Sequence, residues 1–257
     1  MTDAPSSSSL RVSVVIPVLD DAPALARCLE RLRVQTVAPL EVIVVDNGCR
    51  DESAAVALDA GARVVQEPRP GIPAAAAAGY DAATGDVIAR CDADSVVPAD
   101  WIERVRAAFA ADPALQGLTG PGRFHDLPPR WTAIASTAYA LGTFVAGGAA
   151  IANVPLWGSN MALRRATWTA VSPLVERDDP ALHDDLDLTM RLGPCARLRF
   201  DRDLRVEVEG RIFRSPDDAR HRVAVAMRTF RRNWDAEGSP GRRWVLRAGG
   251  PDLRARA

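Results

Sequence analysis

Apolar residues recur along this chain with two different periods. Val12-Ser-Val-Val-Ile-Pro17, Glu41-Val-Ile-Val-Val45, Val64-Val65 and Val87-Ile-Ala-Arg-Cys91 are short, nearly continuous apolar runs between turn residues. Such runs predict strands buried on both faces. Between them the period lengthens to that of a helix. Leu25, Cys28, Leu29 and Leu32 recur at i, i+3, i+4 and i+7 behind Asp20-Asp21, which can cap the helix. A short Ala-rich helix follows the capping Asp51 and stops at Gly61, and another runs from Gly71 to Ala83. Pro98 to Ala110 sets Trp101, Ile102, Val105 and Phe109 on one face. Strands that alternate with helices in this way predict an α/β fold. Its central sheet is mostly parallel and Rossmann-like, with helices on both faces.

The second half changes character. Trp131 to Leu163 contains no charged residue, a length sufficient to cross a bilayer. Its many alanines are only weakly hydrophobic, and Asn153 and Pro155 interrupt it, so a buried or interfacial helix is expected before a span. Trp157 to Asn160 reads as a loop or short strand, and Arg164 to Val171 as a helix. His183 to Leu192 reads as a helix with three acids in its first turn and a stop at Gly193. Ala196–Phe200 and Leu204–Val208 read as a hairpin around Asp201-Arg-Asp203. Ser215 to Trp234 reads as a basic amphipathic helix. The expected organisation is one domain over 11–234 in two halves, 11–115 and 116–234. A polar, Ser-rich disordered tail (1–10) with no signal-peptide pattern precedes it, and a flexible Gly-, Pro- and Arg-rich tail (235–257) follows.

Composition narrows the classes. A net charge of −1 gives no overall field for nucleic acid. All 32 basic residues are Arg, which excludes a Walker-type lysine loop and Schiff-base chemistry. Four scattered Cys (Cys28, Cys49, Cys91, Cys195) fit reduced thiols in a cytoplasmic protein better than a disulfide framework or a zinc site. Leu204 to Ala257 holds 13 Arg against 7 acids. That imbalance makes the C-terminal part a candidate for phosphates or for peripheral contact at the inner membrane face.

The candidate chemistry sits where the fourth apolar run ends. Asp92 and Asp94 stand one residue apart at the expected carboxyl end of a strand, where open α/β sheets bind ligands. Two carboxylates in one crevice, with no Arg between them, suit a hard divalent cation shared with substrate phosphates. The D-x-D pattern also occurs at Asp185/Asp187 and Asp201/Asp203, so position and not the tripeptide carries the argument. The first strand–helix turn, Pro17-Val-Leu-Asp20, has no G-x-G-x-x-G, which disfavours a dinucleotide-binding dehydrogenase.

Taken in order, Val14-Val-Ile-Pro17, Val44-Val-Asp46-Asn-Gly48, Gly85-Asp86 leading to Asp92-Ala-Asp94, Gly158-Ser-Asn-Met-Ala-Leu-Arg-Arg165 and Asp184-Asp-Leu-Asp-Leu188 resemble the motifs of family 2 glycosyltransferases of GT-A fold. The resemblance implies an inverting transfer of sugar from a nucleoside-diphosphate sugar to a hydroxyl acceptor, such as a lipid-linked sugar or a polysaccharide, assisted by Mg²⁺ or Mn²⁺. It implies that Pro17, Val18, Leu19 and Asp20 line the base pocket and that Asp46 accepts a hydrogen bond from the base. Asp92, with Ala93 beside it, would contact the ribose or the metal, and Asp94 would be the main metal ligand. Of the pair Asp184-Asp185, Asp185 is the expected general base. Trp157, Gly158, Ser159 and Asn160 would shape the acceptor or donor-sugar side.

The chain departs from the family at Ala74–Ala78, five alanines where a basic residue and an Asn are usual. That run is expected to strip polar groups from the donor crevice, with Arg69 or Arg90 as substitutes. It keeps open a non-catalytic sugar-nucleotide- or partner-binding protein. A sugar nucleotidyltransferase is disfavoured because the first turn is neither Gly-rich nor basic.

Overall fold

Residues 10–213 and 215–249 are described by the computed structural model of the chain. β1 (Val12–Val18) is buried at every position and pairs in parallel with β2 (Glu41–Asp46), which pairs in parallel with β3 (Arg63–Gln66). β4 (Val87–Arg90) lies on the other side of β1, also parallel. The crossovers are α1 (Ala22–Arg33), α2 (Ser53–Asp59) and α3 (Ile72–Ala82), and α4 (Trp101–Ala111) follows β4. The chain thus adds strands outward on one side of β1 and then returns to the other. This leaves a topological switch point between β1 and β4, where such sheets open a crevice at their carboxyl ends.

The second half completes the same sheet. β5 (Gly117–Thr119), β7 (Met161–Arg164) and β8 (Leu198–Phe200) extend it to the order β3-β2-β1-β4-β7-β5-β8, with β7 antiparallel to both its neighbours. β6 (Gly122–Phe124) and β9 (Val206–Val208) form a separate two-stranded parallel sheet. The fold is α/β with a mostly parallel seven-stranded sheet, as the apolar runs predict. The expected hairpin is absent: β8 and β9 join different sheets. Each finds a parallel partner far away in the chain, and the Asp201–Asp203 turn only redirects the backbone between them.

After β6 the chain forms α5 (Pro129–Ala140), a π-helical stretch (Leu141–Gly147) and α6 (Gly148–Ile151), one continuous rod. Of the two expectations for this segment, a buried or an interfacial helix, the buried one does not hold, because much of the rod's surface faces outward. α7 (Arg165–Val171) and α8 (Asp184–Leu192) match expectation, and α8 stops at Gly193 with φ +86°. α9 (Pro216–Glu237) is the predicted basic helix, with the Ser215 hydroxyl accepting from Asp218 N–H at its start. Between 235 and 249 the expected loose tail is helical: α9 runs to Glu237, and α10 spans Pro240–Arg247. The buried Arg243 anchors it, donating to the carbonyls of Ile151 and Met190 and pairing with Glu237. Residues 1–9 and 250–257 of the expected tails lie outside the described residues.

Two local details differ from the sequence reading. α1 takes no side-chain cap from Asp21; its Ala22 N–H is held by Asp51, across the crevice edge. The alanine run of α3 packs instead of lining a cleft. Ala74–Ala77 are buried, and Ala75–Ala77 lie with Val15, Ile43 and Val45 in the core on one face of the sheet. Small residues let the helix approach closely, and Gly79 sets the limit, because a Cβ there would lie 2.3 Å from Val15 and 2.8 Å from Val45. Gly79→Ala gains about 1 kcal/mol of helix propensity but overpacks the core at a cost of about 1–3 kcal/mol. The net outcome is a lower denaturation midpoint in urea; an unchanged or raised midpoint would contradict this packing.

Candidate active site

The carboxyl ends of β1, β2 and β4 bring the predicted donor-side residues to one edge. Val18 is buried and Leu19 exposed, and Asp20 turns the chain with φ +50° while its carboxylate accepts from Arg50 N–H. Asp46 lies under the turn that follows β2. Its Oδ1 accepts from Gly48 and Cys49 N–H (3.0 and 2.7 Å) and its Oδ2 from the Gln66 amide (2.9 Å). Burial works to raise its pKa, but these donors outweigh burial and hold it below the usual carboxylate range. Asp46 is only 5% exposed, so a base would reach it by displacing Gln66. Asp20, Cys49 and Asp51 come within metal-ligating distance of one another, but Asp20 and Asp51 already accept from the backbone N–H groups of Arg50, Ala22 and Ser53.

The acids after β4 do not face the crevice without counter-charge, as the sequence suggests; two arginines attend them. Arg90, at the end of β4 and fully buried, donates through Nη2 to Asp92 Oδ1 (3.1 Å) and through Nη1 to Asp184 at the start of α8. One guanidinium therefore bridges the two acidic motifs. A Cβ at Gly158 would lie 2.7 Å from the guanidinium carbon of Arg90, so the loop before β7 can close over it only with glycine there. Arg211, after β9, pairs with Asp94 (3.2 Å), with Glu209 (3.1 Å) and with Asp21.

The 157–160 loop ties the acids together from above. Ser159 Oγ donates to Asp92 Oδ2 (2.5 Å), and Gly158 N–H donates to Asp185 Oδ2 (2.8 Å). Leu186 N–H donates to Asp185 Oδ1 (2.7 Å). Trp157 is largely buried, stands 5.8 Å from Tyr139 by ring centroids, and lines a small cavity with Asp92, Asp94, Tyr139, Arg211 and Arg222. Asn160 does not face that cavity. It is fully buried, accepts from Trp101 Nε1 (2.9 Å) and donates to the Leu204 carbonyl (2.6 Å), so its part is to fasten the loop to α4 and the chain before β9. Ala93 is buried as well.

Environment separates the acids. Burial, reinforced by the charge of Asp92, pushes the Asp94 pKa up to about 7, against the pull of Arg211. Burial likewise raises Asp184, against Arg90 and with the neighbouring Asp185 and Asp92 adding to the rise. Asp187, the third acid of α8, is structural: it accepts from Asn233 of α9 and from Glu176 N–H.

The ligand atoms that Asp92 and Asp94 themselves offer are carboxylate oxygens, the donor type that suits a hard cation such as Mg²⁺ or Mn²⁺, and each carboxylate retains lone pairs beyond its arginine contact. Arg211, Arg222 and Tyr139 escape motif reading because they come from distant elements. Arg90 carries one signal: it is the one charged residue in the apolar run Val87–Cys91.

Comparison with known proteins bears on this geometry. The family model described as Glycosyl transferase family 2 matches residues 13–165. An uncharacterized glycosyltransferase of Mycobacterium tuberculosis is 41% identical over 96 residues, 37% of this chain and 42% of the relative. An undecaprenyl-phosphate 4-deoxy-4-formamido-L-arabinose transferase of Pseudomonas fluorescens is 36% identical over 113 residues, 39% of this chain and 33% of the relative. The chain thus matches less than half the length of these curated relatives. Among solved structures, a mannosyltransferase from Pyrobaculum calidifontis in complex with GDP-Man and Mn²⁺ aligns with TM-score 0.62 at 20% identity, covering 99% of this chain and 80% of that one. Glucosyl-3-phosphoglycerate synthase from Mycobacterium tuberculosis, in complex with Mn²⁺, UDP-glucose and phosphoglyceric acid, aligns with TM-score 0.61 at 18% identity, covering 96% and 83%. At these identities the two structures speak for the fold.

Proposed function

The chain belongs to glycosyl transferase family 2, and from that premise we propose that it moves a sugar from a nucleoside-diphosphate sugar to a hydroxyl acceptor, with inversion at the anomeric carbon. The observation that carries this reading is the Arg90 bridge, which ties Asp92 after β4 to Asp184 at the start of α8. Nucleotide sugars and Mn²⁺ bound to two proteins of the same fold support it.

Asp94, with Asp92, would hold the divalent cation, which when bound supplies Lewis-acid neutralisation of the leaving diphosphate. Asp185 is the general base. Its two backbone N–H bonds fix the carboxylate beside the 157–160 loop, from where it would take the proton of the acceptor hydroxyl as that oxygen attacks. Asp184, buried on Arg90, positions α8 and does not itself meet the acceptor. Pro17 to Asp20 and Asp46 form the base side, and Trp157 and Ser159 the sugar side. Trp157 also excludes water from the cavity. A lipid-linked acceptor is the first to try, from the undecaprenyl-phosphate transferase among the relatives.

Calorimetric titration of UDP, GDP and dTDP into the protein, with and without Mn²⁺, tests the donor half of this reading. One of the three is expected to bind at least about tenfold more tightly with the metal present, equivalent to 1.4 kcal/mol or more. Folded protein that binds none of them would sink the proposal.

A further inference from the structure

The rod formed by α5, the π-helical stretch and α6 is long and apolar enough to cross a membrane by length and composition, yet only 11% of its most apolar window is buried in the fold. It is therefore no core helix. Nor is it free to span, because one face is committed to the protein. Thr132 donates to the Leu127 carbonyl, and Ser136 accepts from Phe124 N–H. Tyr139 packs against Phe124 and Trp157, and Phe144 against Phe200. The opposite face runs roughly 25 Å along the helix without a single charge. It carries Trp131 (52% exposed), Ile134 (60%), Leu141 (55%) and Val145 (63%). A contiguous apolar stripe of this length is unusual on a surface that meets only water.

Its surroundings define the occupant. Arg130 opens the rod. Arg222 shares the cavity with Tyr139 at its middle, and Arg247, bonded to the Ala152 carbonyl, stands at its far end. All three are exposed, and no carboxylate pairs with them among the described residues. Trp131 marks one end of the rod, and the half-exposed Trp244, donating to the Ala149 carbonyl, marks the other. A charge-free stripe edged by arginines and closed by tryptophans matches the layering of a bilayer surface: acyl boundary, anionic headgroups and the amphipathic belt between. A second copy fits less well, since a two-fold contact sets the same patch against itself and brings cationic rims together.

We propose that this face is a docking surface for an anionic lipid bilayer, with the rod lying in the interfacial plane. The inference goes beyond the catalytic reading and does not rest on it; vesicle binding is measured with no donor or acceptor present.

The test is co-sedimentation of the full chain with vesicles of phosphatidylcholine alone and of phosphatidylcholine mixed with phosphatidylglycerol. The protein is expected to pellet with the mixed vesicles, less with neutral ones, and less again at high salt. The pair Ile134→Asp and Val145→Asp, at exposed positions that tolerate polar side chains in the fold, is expected to lower the partition at least about tenfold, since a carboxylate in the acyl boundary is costly. Arg130→Glu with Arg247→Glu should lower it on mixed vesicles only. Wild-type protein that stays in the supernatant with mixed vesicles overturns the proposal, whether it is monomeric or dimeric by sedimentation velocity. So does an aspartate pair that pellets like wild type.

Discussion

In Asp185→Asn, sugar transfer falls by about 10²–10⁴-fold in kcat, while metal-dependent nucleotide affinity stays within a factor of two or so of wild type. The asparagine keeps the shape of the side chain but cannot take a proton. It also offers one acceptor oxygen where Asp185 uses two, for Gly158 and Leu186 N–H, so one of those bonds is lost. That loss costs about 1 kcal/mol, less than tenfold in rate if felt fully, and cannot account for the expected fall. Asp184→Asn is the contrast. It weakens the partner of a buried guanidinium, so its main effect is on stability, at up to about 3–5 kcal/mol for a broken buried pair. Steady-state kinetics with thermal melts of both variants separates the roles. Equal melting losses with equal kcat losses would return both acids to a structural role.

Asp94→Asn abolishes the metal dependence of nucleotide binding and at the same time makes the metal-free protein more stable above neutral pH. The folded-state pKa of Asp94 is about 7 against an ordinary value of 3.8. Between those values the native state holds a proton that the unfolded chain has released. Stability therefore falls as pH rises through this window, and above about pH 7 the ionised carboxylate destabilises the fold by up to about 4 kcal/mol. Asparagine cannot ionise and keeps an oxygen for Arg211, which retains Asp21 and Glu209. The expected result is a melting temperature several degrees above wild type at pH 8, converging with it at pH 4. Mn²⁺ should raise the wild-type midpoint and leave the variant's unchanged, and the metal's contribution to nucleotide affinity, tenfold or more, should disappear. A variant less stable than wild type at pH 8 would place the charge of Asp94 on the stabilising side.

How much of this was legible depended on how local each cause is. β1, β2 and β4 are buried on both faces, so they print as unbroken apolar runs, and the helices between them print their period. Asp92 and Asp94 follow β4 by a short turn and could be placed with it, whereas Asp184 and Asp185 were legible through the motif they resemble. The parallel partners of β8 and β9 were not legible, because adjacency in sequence favours a hairpin and nothing local encodes a partner eighty residues away. Arg211 and Arg222 reach the cavity from beyond β9, and Asp51 caps a helix thirty residues earlier, for the same reason. The rod after β6, expected to be buried or interfacial, stayed open for a different reason. Its composition shows that it seeks an apolar neighbour, but composition does not say whether that neighbour is the protein's own core.

The guanidinium of Arg90 has one more implication, for how such a site can change over generations. It serves Asp92 and Asp184 at once and has no route to water. Loss of either acid alone leaves a buried cation with one carboxylate in place of two, and loss of the arginine leaves two acids in mutual repulsion. Single substitutions at these three positions lead downhill in fitness in every direction. Drift away from this arrangement would have to change the acids after β4 and those opening α8 together, so the site is passed on as a unit or abandoned as one.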